Sequence, residues 1–188
     1  MIIRTVLILC SVAVLLSACG GGGGDLIEQP LVTTPVASNT QALVPGVYKL
    51  TFSAFSTAQL VAPISGIDVA VKFPAGLSVS MVTDGTAQIV STSVTPGSAI
   101  QATSLAFGVY SASTRTAYLS MATTQETFRS GEFLNLLFTV APGTSVTPND
   151  IYALNTTYPN YKVVGVDTSI HSTVVMTGSV TTTLGVER

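Results

Sequence analysis

The chain has 188 residues, of which only 9% are charged, with seven Lys or Arg, nine Asp or Glu and a single His. Setting aside Arg4 in the apolar leader, six scattered cations remain (Lys49, Lys72, Arg115, Arg129, Lys162, Arg188), so no basic stripe offers the phosphate contacts that nucleic-acid binding needs. Two cysteines, one of them inside the leader, exclude a disulfide framework, and with one histidine no zinc or iron site can be built.

At the start of the chain, Arg4 precedes an apolar run from Thr5 to Leu16, followed by the small residues Ser17 and Ala18. The run is about twelve residues, short of the roughly twenty that span a bilayer, so residues 1–18 are predicted to be a signal peptide. Leu16-Ser17-Ala18-Cys19 resembles the lipobox of bacterial lipoproteins. The resemblance implies cleavage before Cys19, lipidation of its thiol, acylation of the new amino group and placement in the cell envelope. Two or more acyl chains give stable membrane anchoring. An aspartate after the cysteine favours inner-membrane retention in enteric-type sorting, and Gly20 stands there instead, which leans toward the outer membrane in a diderm host. Five glycines, Gly20–Gly24, with Pro30 and Pro35 after them, make residues 19–42 a lipidated tether.

Residues 43–188 are expected to form one all-β domain. Tyr48, Leu50, Phe52 and Ala54 alternate with Lys49, Thr51 and Ser53, and Ile67, Val69, Val71 and Phe73 with Asp68, Ala70 and Lys72. Pro74-Ala75-Gly76 turns the chain, and Leu77, Val79 and Met81 continue on one face. Asp84-Gly85 is a turn before a strand over Ala87–Val94, which Pro96-Gly97 ends. Leu105, Phe107 and Val109 alternate with Ala106, Gly108 and Tyr110, and Ala117, Leu119 and Met121 form another inward set.

The stretch from Phe133 to Phe138 could line a buried helix, but period two over Leu134, Leu136, Phe138 and Val140 decides for a central strand. Thr147-Pro148-Asn149-Asp150 can open a helical turn, and Val163–Val166 and Thr173–Thr183 read as late strands. Eight or nine strands without a long helical pattern predict a two-sheet antiparallel sandwich, with an up-and-down barrel as the alternative.

Gly66–Phe73 running into Pro74–Val79 resembles the early strand pair of cohesin-like domains, and Gly131–Val140 their late strand that opens Gly-Glu and runs through alternating apolar residues to Phe. Thr147–Ile151 matches the loop that follows. The resemblance spans roughly 46–183 and implies a jelly-roll sandwich shared with cellulose-binding modules. Cohesins bind dockerin modules through one sheet face, sometimes beside calcium. This chain departs from a full cohesin where the tether enters Tyr48–Phe52, and no dockerin-contact residue is matched.

No catalytic set is predicted. His171 with Ser169 or Ser172 and Asp167 is adjacency in sequence rather than triad geometry. Glu126 and Glu132 flank Phe128-Arg129 without the tryptophans that stack on sugar substrates. Asp68, Asp84, Asp150 and Asp167 are isolated, so only the fold could assemble them into a calcium site. Asn155-Thr156-Thr157 is a glycosylation sequon, read as incidental.

Tyr152, Tyr158 and Tyr161 around Pro159-Asn160 are the candidate ligand-binding patch, the competing reading being rings packed onto the sandwich. The expectation is a non-enzymatic, membrane-tethered module without a cofactor that binds a protein partner, with carbohydrate binding as the alternative and a small hydrolase as the less favoured third reading. Replacing Cys19 by serine should leave the protein unlipidated and its leader uncleaved or differently processed. Detergent-phase partitioning that is identical for Cys19→Ser and wild type would refute the anchor.

Overall fold

The computed structural model describes residues 39–156 and 161–188. The leader, Cys19, most of the tether and Tyr158 lie outside the described residues. Ten strands run in order β1 (Gly46–Ser56), β2 (Ile64–Lys72), β3 (Leu77–Ser78), β4 (Val94–Pro96), β5 (Leu105–Ser111), β6 (Thr116–Ala122), β7 (Gly131–Val140), β8 (Tyr161–Asp167), β9 (Ser172–Val175) and β10 (Val180–Glu187). One helix, α1 (Pro148–Leu154), lies between β7 and β8.

Two antiparallel sheets result. The first has the order β10-β1-β7-β3, with β4 also paired to β7, and the second the order β5-β6-β2-β8-β9. The expected two-sheet sandwich is present, each sheet burying one face against the other. Period two gives β1, β2, β6 and β7 the inward sets read from the sequence, with Leu50, Phe52, Leu134, Leu136 and Ala117 completely buried. Phe73, just past β2 in the second sheet, joins the sheets, with its ring 5.6 Å from that of Phe138 and edge-on to Tyr110 at 6.3 Å.

Leu134–Val140 is a central strand, and the structure explains its helix-like apolar run. The β1–β7 register slips between Phe52 and Ser53, which pair with Leu134 and Glu132. Phe133 is therefore an extra residue in β7, and both Phe133 and Leu134 are fully buried. A bulge lets two consecutive residues face the core, which strict alternation forbids.

Four expectations are corrected. Ala87–Val94 is not one strand: Met81–Ile89 and Gln88–Val109 are isolated bridges, Ser91–Ser93 is a 3-10 turn, and β4 starts at Val94. Only Ile89, Ser93 and Val94 are buried there, so no period-two face exists. Thr173–Thr183 is likewise interrupted by a 3-10 turn at Thr177–Ser179, where the chain leaves the second sheet for the first. Leu77 and Val79 face the core but Met81 is exposed, since β3 ends after two residues.

The β5 phase is the fourth correction. Leu105, Phe107 and Val109 face solvent, while Gly108 and Tyr110 face the core. A β-carbon on Gly108 would lie 2.5 Å from Leu119 Cδ2, 2.9 Å from the Tyr118 carbonyl oxygen and 3.1 Å from Ile89 Cδ1. Leu119 and Ile89 already fill that space, so position 108 of β5 accepts a glycine and no larger residue. Gly108→Val should cost about 1–3 kcal/mol through overpacking, whereas Phe107→Ser should stay within about 0.5 kcal/mol. Equilibrium denaturation of both variants checks this, and a Gly108→Val protein as stable as wild type would contradict the β5 phase.

Candidate binding face

The register of the second sheet sets its solvent side in rows. Val109, Tyr118 and Ala70 form one, and Leu105, Ala122, Gly66, Val164 and Val175 form another. Between them run Phe107, Ser120, Asp68 and Lys162. Leu105 is 65% exposed, Phe107 53%, Tyr118 51% and Val175 64%. Leu105, Phe107, Val109 and Tyr118 are large apolar groups left in water side by side on β5 and β6, whereas Val175 lies at the far edge of the sheet.

The solvent side of the first sheet differs. Thr51, Asn135 and Gly185 form its centre, flanked by Ser53 and Thr183. Its exposed apolar residues are Val47 and Phe55, at opposite ends of β1 with Lys49, Thr51 and Ser53 between them, and Leu137 of β7 opposite Lys49, at 37% exposure the least exposed of the three. Lys49 pairs with Glu187 at 2.6 Å, and that hydrogen bond holds the Lys49 ammonium above its ordinary pKa. Contiguous exposed apolar surface marks interaction sites, and the second sheet carries more of it, with Leu105, Phe107, Val109 and Tyr118 adjacent across β5 and β6.

At one end of the apolar rows the second sheet hollows into an open depression of about 1060 Å³, bordered by Asp68, Lys72, Arg115, Tyr118, Ser120 and Lys162. Arg115 sits in the β5–β6 turn in the left-handed region, at φ 50°. Its carbonyl accepts from Phe73 N–H at 2.8 Å, and its Nε donates to the Phe73 carbonyl at 3.2 Å. Asp68 accepts from the Ser120 hydroxyl at 2.7 Å.

Lys72 is placed by the far end of α1. The helix starts with a capping box, in which Asp150 N–H donates to the Thr147 hydroxyl and the Asp150 carboxylate accepts from Thr147 N–H. The Thr147 N–H and hydroxyl, both donating to the Asp150 carboxylate, hold its pKa below the ordinary value. At the other end, buried Asn155 donates from Nδ2 to the carbonyls of Lys72 and Ile151 and accepts from Lys72 N–H with Oδ1. Its carboxamide thus imitates a neighbouring strand for β2. The sequon asparagine has its amide nitrogen committed to backbone carbonyls inside the domain.

Tyr152 lies in α1 and Tyr161 opens β8; both are half-buried against the core. The Tyr161 hydroxyl donates to the Val180 carbonyl at 2.7 Å. Tyr158, the third member of that patch, and Cys19 lie outside the described residues.

His171 is exposed in the β8–β9 turn at φ 49°. Beside it Ser169 donates from Oγ and N–H to Asp167, which lowers the Asp167 pKa. That is turn chemistry, as is the Asp84 carboxylate bound by Thr86. Glu132 accepts from Ser98 N–H and Asn135 Nδ2, bracing β7 to the loop after β4. Among the described residues, no three His, Cys, Asp or Glu side chains converge on a point that could hold a metal.

Sequence reasoning passed over Leu105, Phe107, Val109, Tyr118 and the cations of the depression. The available signal was Gly108, since a glycine in mid-strand marks close approach of another group. Comparison with models of known protein families, with curated proteins and with solved structures finds no match.

Proposed function

We propose that the chain is a lipid-anchored, extracytoplasmic recognition module of cohesin-like character that binds a protein partner through the outer face of its second sheet. The observation that carries this reading is the exposed row Leu105, Phe107 and Val109, continued across the ladder by Tyr118 opposite Val109. Aromatic and aliphatic groups in one patch, with arginine beside them, are the composition of protein-binding hot spots. Burying them on a partner recovers roughly 25 cal/mol per Å² of apolar surface, less the cost of association. Tyr152 and Tyr161 spend much of their rings on the sandwich, which favours protein recognition over the carbohydrate alternative.

The anchor suits this reading, because tethering holds a rigid sheet face at the membrane surface, where encounters are frequent. Site-specific photo-crosslinking in native envelopes tests it. A photoreactive residue at position 107 or 109 should give a discrete higher-mass protein adduct, and one at position 181 or 183, exposed on the first sheet, should not. Equal crosslinking from both faces, or none at 107 and 109, would refute the assignment.

A further inference from the structure

The depression beside the apolar row concentrates charge of one sign. Lys72, Arg115 and Lys162 border it, three of the chain's seven Lys and Arg, against the single carboxylate of Asp68. The whole chain is acidic, at a formal net charge of −2, so this local excess of cations runs against its composition. Nor are these cations consumed internally: among the described residues the one ion pair is Lys49 with Glu187, on the other sheet.

Arg115 is also held in place. Its backbone and Nε are both tied to Phe73, and this uses one of the five guanidinium N–H donors. A cation whose side chain is already ordered loses less conformational entropy when it meets an anion. Lys72 is fixed at its backbone by Asn155, and Lys162 stands across the ladder from Asp68. The Tyr118 ring is common to both regions, bordering the depression and lying opposite Val109.

We infer that the partner presents an acidic segment: carboxylates that reach the Lys72–Arg115–Lys162 depression, next to an aromatic or aliphatic side chain that lies on Tyr118, Val109 and Phe107. This rests on the reading of the second sheet as a protein-binding face and adds the partner's chemistry. Charge complementarity is the argument. Opposite potentials steer the encounter and fix register, and like charges brought together cost affinity. The same reasoning disfavours a second copy of the chain on this face, because two such depressions would oppose cation to cation.

The test uses the full chain and synthetic polymers. A glutamate–tyrosine copolymer should bind more tightly than polyglutamate, and a lysine–tyrosine copolymer should not bind. Affinity should fall as salt rises from low to physiological strength, as screening requires. Lys72→Glu/Lys162→Glu should weaken binding of the glutamate–tyrosine copolymer about tenfold or more. Arg129→Glu/Arg188→Glu, with the same change in net charge, should stay within about twofold.

Equal binding of the lysine–tyrosine copolymer overturns the acidic-segment inference and leaves the binding face standing. So does the absence of any polymer binding while crosslinking from position 107 persists. Retention on polygalacturonate without copolymer binding overturns it in favour of an anionic glycan. A dimer in sedimentation that Phe107→Ser disperses overturns it in favour of a second copy. If the lysine reversals abolish copolymer binding and Phe107→Ser changes nothing, the depression takes anions but the apolar face is not its partner, and the underlying function falls instead.

Discussion

Leu119 lies over the backbone of β5 at Gly108, and that contact decides which side of the strand meets the core. No β-carbon fits beneath it, so the inner positions of β5 are Ala106, Gly108 and Tyr110. Tyr110 then turns its ring edge to Phe73, which in turn packs on Phe138 of the other sheet. With the phase fixed from inside, Leu105, Phe107 and Val109 have no place but the outer face. The exposed surface is thus a consequence of core packing and not of a loosely held edge.

Rigidity extends to the cationic end. The β5–β6 turn is pinned to the end of β2 by the two Arg115–Phe73 bonds, and the opposite side of β2 by the Asn155 carboxamide. Each clamp replaces a missing strand neighbour, leaving backbone donors and acceptors satisfied where the ladder ends. Lys72 and Arg115 therefore stand on fixed backbone, which suits recognition by a preformed face.

Much of this fold was legible in the sequence. Period two in β1, β2, β6 and β7 placed Leu50, Val69, Leu119 and Leu136 inside, and Pro-Gly or Asp-Gly pairs marked chain reversals. What failed did so for local reasons. Alternation cannot show phase when both sets of a strand are apolar, as with Leu105, Phe107 and Val109 against Ala106 and Tyr110. It also cannot show a bulge, and Phe133 beside Leu134 looked helical for that reason. Hydroxyl-rich stretches such as Ser91-Thr92-Ser93 carry no periodic signal and turned out to be a 3-10 turn. The binding face was the least legible part, because it is assembled from β2, β5, β6, β8 and β9 and needs their register to exist at all.

The phase of β5 carries the account of the face, and thiol accessibility reads it directly. Residues 43–188 contain no cysteine, so single cysteines can be introduced into a Cys10→Ser/Cys19→Ser chain. Thiols at positions 107 and 109 should react with a water-soluble maleimide at the rate of an exposed cysteine. Thiols at positions 110 and 117, both buried, should react only on unfolding. Fast labelling at 110 with protection at 107 and 109 would place the apolar row inside and contradict the assignment of this face.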